Sequence, residues 1–129
     1  MSNPTHPQPT DRELSILQIL WELGPSTVRA VNRELNRREG RDIAYTSVLT
    51  VLQIMTEKGL AARNDSQKTH VYQAAVPQQV IERALTDQLI DKLFQGSALR
   101  LVLNAVRPER LSEEERAELR ALLDQVNRE

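Results

Sequence analysis

The stretch AYTSVLTVLQIMTEKGLAARNDSQKTHVY, residues 44–72, decides the fold of this chain. Its apolar residues recur at the spacing of one helix face: Val48, Val51, Leu52 and Met55. This pattern predicts a helix from about Tyr45 to Lys58, and Gly59 suits the position that follows a helix end. The stretch therefore begins with an amphipathic helix that buries only one of its faces.

A short hairpin is predicted directly after this helix. Leu60–Arg63 and Thr69–Gln73 have the composition of strands, and residues 64–66 (Asn-Asp-Ser) supply the turn between them. A helix that enters a DNA groove, followed by a hairpin that rests on the DNA backbone, is the layout of a winged helix. The stretch therefore favours a domain that binds nucleic acid.

The second face of the predicted helix carries small polar side chains: Thr46, Thr50, Gln53 and Glu57. Hydroxyl and amide groups can approach base edges closely and hydrogen-bond with them. Periodicity alone is equally consistent with an ordinary solvated helix face. The hairpin that follows favours contact with a DNA groove.

Two helices and a short strand are predicted before this stretch. Thr10 and Glu13 have the spacing of a capping box, ahead of an apolar helix that Gly24 ends. Ser26 is the expected N-cap of a second helix, and Ile43 is expected to contribute a short strand. Together with the hairpin, the three predicted helices make up a winged helix-turn-helix domain.

The remainder of the chain is predicted to be helical. Pro77 can begin a long helix that Gly96 ends, and Ser112 with Glu115 repeats the capping-box spacing before a final helix. The apolar side chains of this part are too numerous for these helices to bury by themselves. We infer a helical dimerisation module with the following interface residues: Ile81, Leu85, Leu89, Leu93, Phe94, Leu99, Leu101, Val102, Leu103, Val106, Leu119, Leu122 and Leu123.

The sequence thus predicts a mainly α fold with a small β-hairpin, in three parts. A disordered N-terminal arm covers residues 1–9, and a winged helix-turn-helix DNA-binding domain covers residues 10–75. A C-terminal helical dimerisation domain covers residues 76–129.

Composition limits the function of the chain. With 129 residues, no cysteine and a net charge of −1, it is suited neither to thiol chemistry nor to non-specific coating of nucleic acid. The opening residues contain no apolar run, so we expect no signal peptide, no membrane span and a cytoplasmic location. Nucleophile–base pairs, phosphate loops and metal-ligand spacings are missing from the sequence, so we expect no enzyme, no cofactor and no metal site.

Several fragments resemble the penicillinase-repressor family (BlaI/MecI type), winged-helix repressors of beta-lactamase and methicillin-resistance genes. They are ELSILQILWELGPSTV at 13–28, AYTSVLTVL at 44–52, EKGL at 57–60, FQGS at 94–97, and LVLNAV with LSEEERAELRALL within 101–123. Each fragment is weak alone, but their order and spacing are specific, and the resemblance covers about residues 10–125.

The resemblance implies a homodimer that binds double-stranded operator DNA through its third helix and its wing. The implied DNA-binding residues on the helix are Ala44, Tyr45, Thr46, Ser47, Thr50 and Gln53. Those of the wing are Arg63, Lys68 and His70. Arg12 and Arg29 are our own candidates for phosphate contacts, from their charge and their positions near helix ends.

The resemblance also implies a route to derepression and a further partner. Family members are cleaved between Asn and Phe in the dimerisation region after a signal from a membrane sensor-protease. The matching pair here is Asn104-Ala105, and the missing Phe argues against cleavage with the same specificity. Copper-responsive relatives carry a cysteine cluster, which this chain lacks.

Two hypotheses of different classes remain open at this point. The first is a cytoplasmic homodimeric repressor that occupies a palindromic operator. The second is a winged-helix adaptor that binds other proteins without specific DNA binding, which the nearly neutral net charge permits.

Overall fold

The computed structural model describes residues 8–66 and 68–128. Most of the predicted N-terminal arm, residues 1–9, lies outside the described residues. The chain divides into two compact units, the first ending at Leu85 and the second beginning at Thr86. The prediction of a mainly α fold with a small hairpin is confirmed. None of the helices in the described ranges is both long and apolar enough to cross a membrane.

The first unit contains three helices and three strands before the chain enters a fourth helix. In chain order these elements are α1 (Asp11–Leu23), β1 (Ser26–Thr27), α2 (Val28–Glu39), α3 (Tyr45–Lys58), β2 (Ala61–Asn64) and β3 (Val71–Ala74). Helix α4 (Gln78–Leu93) begins in the first unit and ends in the second. The second unit continues with α5 (Ala98–Ala105), a single 3-10 turn (Pro108–Arg110) and α6 (Glu113–Asn127).

The small sheet is antiparallel, with the strand order β1-β3-β2. The hairpin strands β2 and β3 pair with Arg63 opposite Tyr72, and Ser26 of β1 lies opposite Tyr72 on the other edge. The prediction of Ser26 as an N-cap is therefore wrong. Its hydroxyl donates to the Gly24 carbonyl at 2.8 Å, and Thr27 caps α2 instead by accepting from the Ala30 N–H at 3.1 Å.

The predicted strand at Ile43 is also wrong, for a reason visible in its hydrogen bonds. Asn36 Oδ1 accepts from the Ile43 N–H at 2.7 Å, and Asn32 Nδ2 donates to the Ile43 carbonyl at 2.8 Å. Two side-chain amides of α2 thus satisfy the Ile43 backbone, so this segment needs no strand partner. The same bonds tie the segment before α3 to α2.

The core of the first unit is almost entirely aliphatic. Its fully buried members come from the first three helices, from β3 and from the residue before β2: Ile16, Leu17, Ile19, Val31, Leu35, Val48, Leu52, Met55, Tyr72 and Leu60. Trp21 packs against this cluster, and its indole Nε1 donates to the Val76 carbonyl at 2.9 Å. Val76 and Ile81 are buried in the same core, so the first compact unit extends beyond the predicted boundary at residue 75.

An ion pair between a buried carboxylate and a partly exposed lysine links the beginning of α1 to the end of α3. Thr10 and Glu13 form the predicted capping box, and Glu13 is only 3% exposed. Lys58 Nζ lies 2.9 and 3.0 Å from the two carboxylate oxygens of Glu13. Burial acts to raise the pKa of Glu13, but the Thr10 N–H and the Lys58 ammonium outweigh it and lower that pKa.

In the second unit the helices bury little within one chain. Ser112 and Glu115 form the predicted capping box of α6. The large apolar side chains of α5 and α6 are nevertheless mostly exposed, and Leu99 and Leu103 are each 65% exposed. The exposed apolar surface is therefore concentrated in this part of the chain.

Replacing Lys58 by Met should destabilise the first unit by about 1–3 kcal/mol, because the buried Glu13 carboxylate loses its cation. Chemical denaturation near pH 7 measures this loss. Lys68→Met, which removes an exposed lysine of the hairpin turn, is the control.

The same comparison has a defined pH dependence. Because the pKa of Glu13 is lowered in the fold, its carboxylate stabilises the fold above about pH 4.3, the ordinary value for glutamate. That contribution is lost as the pH falls through the lowered pKa. The stability difference between wild type and Lys58→Met should therefore shrink toward low pH, and a difference that stays constant would contradict this role of the pair.

Candidate nucleic-acid interface

Helix α3 is held by one buried stripe and presents the opposite face to solvent. Val48, Leu52 and Met55 are buried, and α3 packs against α1, α2 and β2. The exposed side chains include all the predicted groove residues: Ala44, Tyr45, Thr46, Ser47, Thr50 and Gln53. All six residues are therefore accessible to a partner, and they extend from the N-cap into the first two-thirds of the helix.

The N-terminus of α3 is open to an acceptor from outside the chain. Its N-cap is Ala44, which has no side chain that can accept a hydrogen bond. The first backbone N–H groups of a helix have no partner within that helix, and they favour an anion such as a phosphate. Beside this terminus lies a cleft of about 350 Å³, whose lining includes Arg12 and Arg41 and also the acidic Asp42.

Thr50 uses its hydroxyl proton inside the helix. Its Oγ1 donates to the Thr46 carbonyl at 2.9 Å. The Thr50 side chain can then offer an outside partner an oxygen acceptor and a methyl group, but no free donor. Gln53, which is exposed on the same face, has both a donor and an acceptor.

The hairpin forms the predicted wing, and its charges are partly paired with one another. Asp65 Oδ1 lies 2.8 Å from Arg63 Nε and 2.8 Å from His70 Nδ1. A hydrogen bond with the Tyr72 side chain and, as the next contribution, the charge of Asp65 raise the pKa of the Arg63 guanidinium. Arg63 therefore remains charged. Lys68 is exposed in the turn between the strands. The wing thus carries basic side chains around one carboxylate.

The arginines of α1 and α2 fall into two groups. Arg12 Nη1 lies 3.0 Å from Glu39, and Arg37 and Arg38 both bind Glu34. Hydrogen bonds from Arg37 and then Arg38 lower the pKa of Glu34 to about 2.

Arg29 and Arg33 form the second group. Both are exposed on α2, and within residues 8–66 and 68–128 no carboxylate lies in ion-pair range of either. Their charges are therefore available to a phosphate, whereas those of Arg12, Arg37 and Arg38 are already compensated.

The predicted dimerisation residues lie in two different environments. Ile81 is buried in the core of the first unit and Leu85 packs against that core, so both attach α4 to the winged helix of their own chain. Phe94 is nearly buried, with the Arg100 guanidinium 6.0 Å from its ring centre. The remainder are partly or largely exposed: Leu89, Leu93, Leu99, Leu101, Val102, Leu103, Val106, Leu119, Leu122 and Leu123.

Asn104 and Ala105 are exposed in the last turn of α5. Both residues belong to α5, and the side-chain amide of Asn104 donates to the Arg100 carbonyl at 2.8 Å. For the described residues, no group of three or more His, Asp or Glu side chains is arranged to hold a metal ion.

Sequence reasoning found the positively charged residues but missed their partners. Glu39 decides how much of the charge of Arg12 is available, and only the fold brings these two residues together. Asp65 does the same for Arg63 from two residues away in the hairpin. The sequence analysis also assigned no role to Ile54, although the position of this residue outside the buried stripe of α3 indicates an exposed side chain. Ile54 is 41% exposed.

Comparison with known proteins gives consistent relatives over nearly the whole chain. The family model of penicillinase repressors matches residues 9–125. The methicillin resistance regulatory protein MecI of Mammaliicoccus sciuri is 27% identical over 124 residues, covering 96% of this chain and 98% of that protein. The transcriptional regulator BlaI of Mycobacterium tuberculosis is 33% identical over 87 residues, covering 67% of this chain and 59% of that protein.

Solved structures agree on the fold. The solution structure of the DNA-binding domain of the repressor BlaI matches with a TM-score of 0.50 at 20% identity, covering 62% of this chain and 93% of that one. The structure of RosR from H. salinarum matches with a TM-score of 0.53 at 21% identity, covering 92% and 94%. The predicted winged-helix fold and the predicted family resemblance are both confirmed.

Replacing Asp65 by Asn should strengthen binding of this chain to a DNA duplex. The change releases Arg63 from its carboxylate and removes a negative charge from the wing. If Arg63 then gains one phosphate contact, the slope of log K against log salt should steepen by about 0.9. Fluorescence anisotropy across several salt concentrations measures both quantities.

The matched control is Asp87→Asn, which makes the same change of net charge on α4. Equal effects of the two substitutions would show that only net charge matters, and not the position of Asp65 on the wing.

Proposed function

Because the chain belongs to the penicillinase repressor family, we propose that it is a transcriptional repressor that binds a palindromic operator as a homodimer. The observation that carries this proposal is the family match over residues 9–125, which spans both the exposed face of α3 and the apolar helices after it. The proposal places the protein in the cytoplasm, together with its DNA.

In this proposal α3 enters the major groove and the wing follows the backbone. An α-helix fits the major groove, where base edges present distinct patterns of donors, acceptors and methyl groups. The exposed Thr46, Ser47, Thr50 and Gln53 would lie against those edges. The open N-terminus of α3 would meet a phosphate beside them.

Phosphate contacts set the register of the protein on the duplex. Arg29 on α2 and Lys68 on the wing are exposed, and α2 and β2 both pack against α3, so these contacts flank the recognition helix. Arg12 and Arg63 would join them by exchanging a carboxylate for a phosphate. Such contacts supply affinity that depends on salt, whereas the base contacts supply specificity.

The exposed apolar side chains of the second unit support a dimer. Exposed apolar side chains in such number indicate an interaction site, and a second copy of the chain would cover them across a two-fold axis. Two winged helices would then engage half-sites about 34–36 Å apart, or a multiple of that distance. Ile81 and Leu85 are covered within their own chain, so we leave them out of the proposed interface.

Release of the operator is proposed to follow loss of the dimer. Cleavage at Asn104-Ala105 by a signalling protease would cut the chain after α4 and so separate the winged helix from α6. Because both residues lie in a helix, the last turn of α5 must unwind before a protease can bind it. Ala105 in place of Phe calls for a protease with a small side-chain preference at that position.

Tight DNA binding distinguishes the repressor from a protein adaptor. The double substitution Arg63→Ala, Lys68→Ala should weaken operator binding and make its salt dependence shallower, because two phosphate contacts are lost. Anisotropy with a scrambled duplex as reference measures this. Arg83→Ala, Lys92→Ala removes the same two charges from α4 and is the matched control.

Weak and equal binding of the wild type to both duplexes would favour the adaptor instead. Two observations favour the adaptor: several surface arginines are paired with carboxylates, and the net charge of the chain is only −1.

The dimer is tested by Leu99→Asp combined with Leu103→Asp. Both side chains are 65% exposed in the single chain, so the substitutions should leave the fold intact while placing charge in the proposed interface. Sedimentation should show a monomer, and operator affinity should fall by about a hundredfold or more, because the half-sites are no longer linked.

Leu23→Asp, a substitution of an exposed leucine at the end of α1, is the control for added charge. A double variant that still sediments as a dimer and retains operator affinity would overturn the proposed interface.

A further inference from the structure

Resting on the proposed function, we propose that Ile54 contacts the C5-methyl group of a thymine in each half-site of the operator. This makes Ile54 a specificity-determining residue of the recognition helix, with thymine as the base that it selects.

The exposure of Ile54 is the first observation. In the described part of the first unit, the exposed large apolar side chains are those of Leu23, Tyr45, Ile54 and Val80. Two of these four lie on α3. Ile54 is 41% exposed on an element whose core stripe is already complete with Val48, Leu52 and Met55. Its aliphatic surface therefore contributes little to the core and remains free to contact a partner.

The position of Ile54 on the helix is the second observation. Ser47, Thr50 and Ile54 follow the spacing i, i+3, i+7, so they form one row along the surface of α3. Ser47 and Thr50 are exposed and belong to the proposed groove face. A docking that brings these two hydroxyls to base edges also brings Ile54 to the groove, one turn further along the helix.

Chemistry then selects the base. The thymine methyl is the one apolar group that the four bases present in the major groove, and aliphatic side chains pack against it. Ile54 has no hydrogen-bonding group and cannot recognise the donors and acceptors of the other base edges. Beside it, Thr50 directs its hydroxyl proton to the Thr46 carbonyl, which leaves its own methyl group for a similar contact.

The charges on α3 point the same way. Guanine is most often recognised by a bidentate Arg or Lys. Lys58 is the only Lys or Arg within α3, and it is bound to Glu13 at the far end of the helix. The exposed face instead carries Thr46, Gln53 and Glu57. The row that ends in Ile54 is therefore suited to methyl groups.

The test distinguishes recognition of the thymine methyl group from recognition of the base pair as a whole. Selection from a random duplex library with the wild-type protein first defines the operator. Each thymine of the half-site is then replaced in turn by deoxyuridine, which lacks only the C5-methyl group, and anisotropy gives the affinity. Wild type, Ile54→Ala and the control Leu23→Ala, which removes another exposed aliphatic side chain, are compared.

At one thymine position, uracil placed in both half-sites should weaken wild-type binding by about three- to fivefold per half-site, the effect of one methyl-sized apolar contact in each. Ile54→Ala should show a similar loss on the thymine duplex and no further loss on the uracil duplex. Leu23→Ala should keep the full uracil effect. Thermal unfolding should be nearly unchanged, because Ile54 is exposed and alanine favours helix.

Two failures are distinguishable. If selective operator binding is present but uracil weakens Ile54→Ala as much as wild type at every position, the assignment of Ile54 is overturned and the repressor remains. If no duplex is bound selectively, the proposed function fails, and the assignment of Ile54 fails with it.

Discussion

The rotation of α3 about its own axis is the constraint on which the proposed interface depends. The narrow stripe Val48, Leu52 and Met55 is fully buried, so the helix can face the core in only one orientation. The Lys58–Glu13 ion pair fixes its last turn to the start of α1. Asn32 and Asn36 hold Ile43 just before its first turn. Both ends are thus fixed by polar bonds, and the middle by close packing.

In this arrangement, the residues of α3 that hold the helix in place differ from those that are proposed to contact the DNA. The residues that hold α3 lie on one side of it or at its ends, and the residues proposed to meet bases lie on the other side. Substitutions on the exposed face can therefore change which bases are selected without loosening the fold. A winged helix built in this way can acquire a new operator through a few changes on a single face.

The sequence predicted the helices and the hairpin because their signals are local. The capping boxes at Thr10 and Ser112 and the apolar stripe of α3 involve residues within one or two turns of each other. The errors at Ser26 and Ile43 arose where residues of another element decide the outcome. Ser26 pairs with Tyr72, far along the chain, and Ile43 is satisfied by amides of the preceding helix.

The candidate site shows the same division. Its location on α3 and the wing follows from periodicity and turn residues, which one chain segment contains. The charge that the site presents cannot be predicted from these local signals. Glu39 neutralises Arg12 from 27 residues away, and Asp65 is shared between Arg63 and His70 of the wing. The Arg12–Glu39 pair depends on tertiary geometry, whereas the pairs of Asp65 form within the hairpin.

The hydrogen bond from Trp21 to the Val76 carbonyl provides an internal optical reporter. Trp21 is the only tryptophan of the chain, and its indole spans from α1 to the segment that leads into α4. The emission of an indole depends on the polarity and hydrogen bonding of its surroundings. Intrinsic fluorescence of the unlabelled protein therefore reports, from a single site, whether the beginning of α4 stays docked on the winged helix.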